Sequence, residues 1–200
     1  MGLKTSNGGG TYIRFKEGKF FRSNDKDQLF TEIEGEIIGI NLANDEYEGK
    51  PIKKLVIKMT DGEENFILSL SFDSSYASNL IGFLKNADLS KPLSLVGTFK
   101  EGKDGKRNPG ILVKQDEKFM KAFYTKDAPN GLPPMVQKRN GKWDKDDMSE
   151  FLENVVLEEL APSVSNTKPS QNRALTKETP KERIPVNEVD EDGEDDDMPF

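Results

Sequence analysis

Hydrophobic and polar residues alternate along the first half of the chain with the period of two that is typical of β-strands. Two short alternating runs, 11–15 and 19–22, flank a Lys-Glu-Gly turn and predict a hairpin. A longer isoleucine-rich run spans 29–42 and is interrupted by Gly35 and Gly39. Glycines inside a strand often mark bulges or sharp bends, so we expect this run to be the first strand of a small closed barrel.

The next segments continue the strand pattern and then change to a helical one. Residues 52–60 place leucine, isoleucine and methionine on one face, and Asp61-Gly62 predicts a hairpin turn into a strand over 66–72. Over 74–86 the apolar residues recur at helical spacing, with serines near the start as caps. The chain therefore changes from strand to helix after its third barrel strand.

Two more strands, 93–100 and about 110–114, follow the predicted helix, and 118–124 is expected to extend or close the sheet. Three strands, a helix and two strands are the order of the OB-fold, a five-stranded Greek-key barrel in which a helix links strands 3 and 4. We therefore predict an all-β dominated protein built on an OB-type barrel.

The C-terminal part is predicted to hold a loop, one helix and a long tail. The proline-containing segment 125–142 is expected to be a surface loop, and 144–160 carries an apolar stripe that predicts an added C-terminal helix. Beyond it, polar residues and prolines dominate without periodicity, which is typical of disorder. The predicted organisation is a flexible N-terminus at 1–10, an OB-type domain at 11–161, a disordered linker at 162–187 and an acidic tail at 188–200.

Composition excludes several kinds of chemistry. The chain has no cysteine and no histidine, so it has no disulfide, no thiolate nucleophile and no imidazole base. No apolar run approaches the roughly 20 residues that span a bilayer, and residues 1–10 lack the apolar core of a signal peptide. We expect a cytoplasmic protein that does not enter a membrane.

Charge divides the chain into two unlike parts. The net charge is −7, but eight of the 36 acidic residues lie in 188–200, which has no basic residue. The preceding 187 residues therefore carry 28 acidic against 29 basic residues, a net charge of +1. A near-neutral body on which lysines cluster is compatible with nucleic-acid binding, whereas a uniformly acidic body would repel it.

Proteins that bind single-stranded nucleic acid combine cations that contact phosphates with aromatic rings that stack on bases. This chain interleaves the two in its N-terminal hairpin, on its second barrel strand and in later loops. The loop between the last two strands borders the oligonucleotide groove of an OB barrel, which favours phosphate contacts by its basic residues. The candidate residues for binding single-stranded DNA are Tyr12, Arg14, Phe21, Arg22, Lys54, Lys58, Lys100, Lys103, Lys106, Arg107, Lys121, Tyr124, Lys138, Arg139, Lys142 and Trp143.

Each candidate also has a plainer alternative role. Core packing is expected for aromatic residues that continue apolar stripes, and a solvated surface is the alternative for the lysines. Tyr12, Tyr124 and Trp143 are open to stacking or to core packing. Phe20 and Phe21 are adjacent and face opposite ways, so we expect at most one of them to be exposed. The aromatic residues assigned to the core are Phe66, Phe72, Phe83 and Phe99.

An enzymatic function would have to rest on carboxylates, such as Glu63-Glu64 or the acidic residues that begin the last helix. Adjacent carboxylates in a hairpin diverge, and carboxylates at a helix start favour the helix dipole. We therefore predict no catalytic residue, no metal and no cofactor. The alternatives are a carboxylate-metal nuclease and an OB-fold hub or chaperone that binds RNA or protein.

The last six residues predict a different kind of contact. A solubility tail accounts for acidic residues but not for an ending on Met198, Pro199 and Phe200, because an exposed phenylalanine gains nothing from water. A partner's pocket with a basic rim would bind both the ring and the carboxylates. The predicted partner-binding residues are Asp195, Asp196, Asp197, Met198, Pro199 and Phe200.

This ending closely resembles the Asp-Asp-Asp-Ile-Pro-Phe tip of bacterial single-stranded-DNA-binding proteins, with methionine in place of isoleucine. In that family the tip docks on nucleases, helicases, recombination mediators and polymerase accessory subunits, while an upstream OB fold holds DNA. The added helix, the N-terminal hairpin and the proline-containing loop fit a divergent phage-encoded version. The resemblance implies binding of single-stranded DNA in replication, recombination and repair, with recruitment of polymerase, helicase-primase, nuclease or mediator proteins. It is compatible with a homo-oligomer.

Overall fold

The structure is a computed structural model that describes residues 10–101, 107–141 and 143–165. Strands make up 48% of it and helices are few, which confirms the predicted all-β dominated class. The main sheet curls into a half-barrel. In this described part of the chain, no helix is long and apolar enough to cross a membrane.

Nine of the described strands form the main sheet: β1 (Thr11–Lys16), β2 (Lys19–Arg22), β3 (Asp25–Phe30), β4 (Glu32–Tyr47), β5 (Lys50–Thr60), β6 (Asn65–Ser71), β7 (Leu93–Glu101), β8 (Arg107–Gln115) and β9 (Lys118–Phe119). Their order across the sheet is β3-β2-β1-β6-β5-β4-β7-β8-β9. A second sheet pairs β10 (Val136–Gln137) with β11 (Trp143–Asp144). The helical segments are α1 (Ser75–Leu84), α2 (Asp146–Asn154), a π-helix over Val155–Leu160 and α3 (Ala161–Ser165).

The alternation along β5 gives the sheet its buried face. Leu55, Ile57 and Met59 are buried, while the residues between them are half-buried or exposed, as the sequence predicts. Helix α1 begins after Ser74, whose hydroxyl accepts a hydrogen bond from the backbone N–H of Ala77. This confirms the predicted serine cap.

Strand β4 serves both sides of the half-barrel. Its first residues, Glu32–Gly35, pair with β7, and the remainder pairs with β5. The register shifts between Ile37 and Gly39, which is the kind of bulge expected there. At Gly35 a Cβ atom would lie 2.5 Å from the carbonyl oxygen of Thr60, so a larger residue would push the two strands apart.

The prediction of a single strand over 29–42 is wrong at its start. Leu29 and Phe30 end β3, which pairs with β2, and the chain bends at Thr31 before β4 begins. The earlier residues of β3, 25–28, are polar and exposed. Their backbone pairs with β2 without burying a side chain, so the hydrophobic pattern gives no sign of the strand.

The predicted N-terminal hairpin is confirmed. Its first strand contacts β6, and its turn packs against β7. Strand β1 pairs in parallel with β6. At the hairpin turn, a Cβ atom on Gly18 would lie 2.7 Å from the carbonyl oxygen of Thr98, and one on Gly97 would lie 2.3 Å from that of Gly18. Phe20 is fully buried, with its ring centroid 5.0 Å from that of Phe15. The hairpin therefore contributes to the core.

Two segments after β8 differ in detail from the prediction. Strand β9 contains only two residues, so 118–124 extends the sheet at its edge through these two alone. The segment 125–142 is not wholly a loop, because β10 pairs with β11. Hydrogen-bonded backbone in so short a pair leaves its side chains largely exposed, which is why the apolar pattern misses it.

The last helix is displaced from its predicted bounds. It begins at Asp146 and continues to Ser165, beyond the predicted domain end at Ala161. Val164 is buried in the core, which is the physical reason that the chain stays helical there. The predicted apolar stripe does pack on the core and consists of Met148, Phe151, Leu152, Val155, Val156 and Leu160. The rest of the predicted linker and the acidic tail lie outside the described residues.

Candidate nucleic-acid interface

The candidate site begins on the side of the sheet that faces away from the core. Because alternate residues of β5 are buried, Lys54 and Lys58 point to the opposite side. Lys58 lies opposite Gly39 of β4 on one side and opposite Ile67 of β6 on the other. Ile67 in turn lies beside Tyr12 of the neighbouring strand β1. Tyr12 is 58% exposed and Lys58 is exposed. An aromatic ring and a cation therefore flank Ile67 on this side, here termed the outer face.

The outer face continues onto the N-terminal strands. Arg14 lies opposite Phe21 across β1 and β2, and Phe21 lies opposite Leu29 across β2 and β3. Phe21 is half-buried whereas Phe20 is buried, which confirms that at most one of the two faces solvent. Arg14 is exposed, and its Nε donates a hydrogen bond to Ser23 Oγ at 3.2 Å. A cation and a ring thus lie side by side here too.

Beside Phe21 the surface opens into a cleft of about 520 Å³, here termed the N-terminal cleft. Its walls come from the β1–β2 hairpin, from β3 and from the end of β7. It combines three lysines and one carboxylate with three apolar side chains. The lining residues are Lys16, Glu17, Lys19, Phe21, Lys26, Leu29 and Phe99.

The lysines give this cleft an excess of positive charge. Lys16 and Lys19 lie directly opposite each other in the hairpin, a placement that is destabilising for like charges. Within the described part of the chain, Lys16, Lys19 and Lys26 form no salt bridge, and neither does Glu17. An anion between the opposed lysines would relieve their repulsion, so the cleft suits a phosphate group.

Phe99 is a wrong prediction of core packing, because it is 44% exposed and lines the N-terminal cleft. Its strand does carry an apolar stripe, in which Leu93 and Leu95 are buried. At Gly97, however, the hairpin turn takes the interior position, so the next residue of the stripe lies at the rim. The other three assignments are confirmed: Phe72 is buried, and Phe66 and Phe83 pack partly buried against the core.

Lys54 lies on the outer face but is engaged by a carboxylate of the protein. Its ammonium group donates a hydrogen bond to Asp45, and this bond, together with one from the backbone N–H of Glu46, holds the pKa of Asp45 below its ordinary value. Lys58 forms no salt bridge with any described residue. Of the two lysines, Lys58 is therefore the more available to phosphate.

Arg22 and Lys138 are also paired. Arg22 Nη2 lies 2.9 Å from Glu64 Oε2, and Lys138 Nζ lies 2.9 Å from Asp144 Oδ2. The hydrogen bond from Lys138 holds the pKa of Asp144 below its ordinary value. Pairs this exposed contribute little to stability, so a phosphate group competes with the carboxylates for both cations.

The two later aromatic candidates have different surroundings. Tyr124 packs against the core in edge-to-face contact with Phe123 and Phe151, at ring-centroid distances of 5.1 and 5.7 Å. Burial raises the pKa of the Tyr124 phenol. Trp143 is 56% exposed on β11. Tyr124 is therefore partly buried against the core, whereas Trp143 presents a ring to solvent.

The remaining candidates fall into three groups. Lys121 and Arg139 are exposed. Lys100 and Arg107 lie at the paired ends of β7 and β8, next to the loop expected to contact phosphate. Residues outside the described part of the chain are Lys103, Lys106 and Lys142, and the partner-binding set Asp195, Asp196, Asp197, Met198, Pro199 and Phe200.

No protein-family model, curated protein or solved structure matches this chain. A function for the protein therefore rests on the chemistry of the outer face and the N-terminal cleft. Both carry the mixture of cations and aromatic rings that single-stranded nucleic acid requires.

Several residues of the cleft are missing from the sequence-based candidates. A signal for Lys16 and Lys19 is present, because residues that flank a two-residue hairpin turn lie opposite each other and share a face. Lys26 and Leu29 reach the cleft through β3, whose polar sequence gives no strand pattern. Glu17 belongs to the turn itself.

Proposed function

We propose that the protein binds single-stranded DNA without strong sequence preference during replication, recombination and repair, and that it is not an enzyme. One observation carries the proposal: the N-terminal cleft joins three lysines, which form no salt bridge with any described residue, to the apolar side chains of Phe21, Leu29 and Phe99. Lysines attract phosphates irrespective of sequence. Stacking of a base on an aromatic ring adds about 1 to 3 kcal/mol and also tolerates any base.

We further propose that the half-barrel is of the OB type. The strand order β6-β5-β4-β7-β8, with α1 between β6 and β7, supports this. In an OB fold the strand 2 and 3 face binds oligonucleotides, and the corresponding strands β5 and β6 carry Lys58 and Ile67 on the outer face. The added strand β1 pairs with the free edge of β6, so the N-terminal cleft would extend the usual binding face.

For Asp195–Phe200 we propose recruitment of other replication and recombination proteins. The proposal rests on the resemblance of these residues to the bacterial tip and on the charge difference between 188–200 and the preceding chain. A terminal ring preceded by carboxylates suits an apolar pocket with a basic rim. DNA binding and recruitment would then use separate parts of the chain.

Titration of a fluorescently labelled oligo-dT with the protein tests the proposal for DNA. Fluorescence anisotropy should give a Kd at least about tenfold lower for the single strand than for a duplex of equal length, because only unpaired bases are free to stack. Absence of binding to the single strand at low salt would contradict the proposal.

A pair of charge-reversal variants tests whether the cleft is the site. Lys19→Glu/Lys26→Glu should weaken oligo-dT binding by about tenfold or more, because it removes two phosphate contacts and adds repulsion. Lys118→Glu/Lys126→Glu is the matched control, with the same change in net charge at exposed positions that do not line the cleft. Equal losses in the two variants would place the site elsewhere.

A protein-binding hub is the second candidate, and the small β10–β11 sheet favours it. Met135, Val136 and Trp143 are 45%, 59% and 56% exposed there, and apolar residues gathered on a surface are typical of protein contacts. Trp143 is the only tryptophan of the chain, so its fluorescence reports on this sheet. If oligo-dT quenches the Trp143 fluorescence and duplex DNA does not, DNA binding at this sheet is favoured. If oligo-dT binds to the protein without quenching Trp143, a protein partner at this sheet is favoured instead.

A further inference from the structure

The turn of the β1–β2 hairpin places a carboxylate in a cleft that otherwise attracts anions. We propose, on the basis of the proposed DNA-binding function, that Glu17 reads the base held in the N-terminal cleft. The cleft would then favour bases that carry an exocyclic amino group over thymine. We expect this preference among bases to be modest, because the phosphate and stacking contacts of the cleft tolerate any sequence.

The position of Glu17 is fixed by the backbone around it. Glu17 has φ of 50° and Gly18 has φ of 76°, the left-handed pair that a tight two-residue hairpin turn requires. The turn lies against β7, where a Cβ atom on Gly18 would be 2.7 Å from the carbonyl oxygen of Thr98. Glu17 is therefore held at the cleft wall by strand pairing on one side and by β7 on the other.

The charge of Glu17 weakens the cleft for phosphate alone. It lines the same space as Lys16, Lys19 and Lys26, yet forms no salt bridge with them in the described structure. A carboxylate near a bound phosphate raises the energy of the complex unless it accepts a hydrogen bond from the ligand. The donor must then come from the base, since neither a phosphate group at neutral pH nor the deoxyribose of an internal nucleotide has an N–H or O–H group to donate.

Bases differ in the donors that they offer to a carboxylate. Cytosine and adenine present an exocyclic amino group, as guanine does, and acidic side chains are known to accept from the cytosine N4 amino group. Thymine offers only its N3–H, which lies between two carbonyl oxygens that repel a carboxylate. Cytosine and thymine are both pyrimidines, so comparing them changes this donor with little change in ring size.

The other residues of the cleft suit the rest of a nucleotide. Phe99 and Leu29 supply apolar surface against which a base can lie, with exposed fractions of 44% and 58%. Lys16 and Lys19, opposed across the hairpin, are placed to hold the adjoining phosphate on either side of Glu17. Base, phosphate and amino group would each meet a complementary side chain.

Titrations of the full-length protein with oligo-dC and oligo-dT of equal length test the inference. At pH 8, where cytosine is unprotonated, we expect oligo-dC to bind about fivefold more tightly, as one charge-assisted hydrogen bond in an open cleft would give. Glu17→Asn removes the carboxylate while asparagine keeps the left-handed turn. This variant should bind both oligonucleotides with Kd values within about twofold of each other.

Glu48→Asn is the matched control, because Glu48 and Gly49 form the same kind of turn, with φ of 52° and 74°, at an exposed position between β4 and β5. It should keep the preference of the unchanged protein. Equal binding of oligo-dC and oligo-dT by the unchanged protein, or a preference that survives Glu17→Asn, would overturn the inference and leave DNA binding intact. Failure to bind either oligonucleotide would instead overturn the proposed function.

Discussion

Lys54 and Lys58 lie four positions apart on β5 and share the outer face, but among the described residues only Lys54 is hydrogen-bonded to a carboxylate, that of Asp45. The bond holds the pKa of Asp45 below its ordinary value. A lowered carboxylate pKa means that the pair is intact at neutral pH and is lost as the pH falls through that lowered value. At pH 7, therefore, a phosphate must compete with Asp45 for Lys54 but not for Lys58.

Lys58→Ala should consequently affect DNA binding more than Lys54→Ala at pH 7. Loss of one phosphate contact reduces the slope of log Kd against log salt by about 0.7 for a single strand. We expect that reduction for Lys58→Ala and a smaller one for Lys54→Ala. Oligo-dT titrations over a series of salt concentrations measure both slopes, and the reverse order would show that Asp45 does not restrain Lys54.

The sequence predicts individual side chains where only local geometry decides their direction. Strand alternation alone separates Phe20 from Phe21, and the structure confirms that separation. Phe99 follows the same rule along its strand, but the β1–β2 turn, some 80 residues earlier in the chain, occupies the interior beside Gly97. The pairing of Lys54 with Asp45 likewise depends on strand register, which the alternation of residues does not fix.

The β1–β2 hairpin is the element that shapes the N-terminal cleft, and its turn depends on the absence of a side chain. Gly18 and Gly49 occupy the same position of two Glu-Gly turns, with φ of 76° and 74°. At Gly49 a Cβ atom would have nothing within 4 Å, whereas at Gly18 it would lie 2.7 Å from the carbonyl oxygen of Thr98. Substitutions at the two glycines therefore separate the effect of a positive φ on stability from the effect of close packing against β7.

Gly49→Ala should destabilise the protein by about 1 to 2 kcal/mol, because alanine is strained at positive φ. Gly18→Ala should cost about 1 to 3 kcal/mol more, because the turn must also move away from β7. Urea unfolding of both variants measures the difference in the free energy of unfolding. Equal values would mean that the turn is not packed against β7 in solution.

Elements with a strong hydrophobic period are those that the sequence predicts well. Strand β5 alternates cleanly and α1 has both its apolar spacing and its serine cap, so both are confirmed. Strand β3 and the β10–β11 pair are held by backbone hydrogen bonds with few buried side chains, and they are missed. The end of α3 is missed because one buried residue, Val164, extends the helix past the last clear repeat of the stripe.

At the scale of the whole molecule, charge separates the acidic segment 188–200 from the near-neutral chain before it. The proposed division of labour assigns DNA to the folded residues and partner proteins to the terminal Met198, Pro199 and Phe200. Carboxylates alone would give a contact that salt screens readily, whereas a buried phenylalanine ring would not be screened. Recruitment should therefore depend on the ring more than on any single aspartate.

Phe200→Ala should weaken binding to a partner about 100-fold, because a ring buried at the centre of a small contact typically dominates its energy. The measurement is calorimetric titration of the full-length protein with a purified recombination mediator that binds the bacterial tip. Val189→Ala, an apolar truncation in the same acidic segment, is the control and should have little effect. Oligo-dT affinity should stay unchanged in both variants; its loss together with recruitment would contradict the division of labour.

The central claim is that DNA bases stack in the N-terminal cleft, and Phe99→Ala in an oligo-dT titration tests it most directly. Phe119→Ala is the matched control, since Phe119 is 60% exposed on β9 and does not line the cleft, against 44% for Phe99. With both variants shown by thermal unfolding to be folded, Phe99→Ala should raise the Kd by about 5- to 100-fold and Phe119→Ala by less than about twofold. Equal Kd values for the two variants would contradict stacking in the cleft.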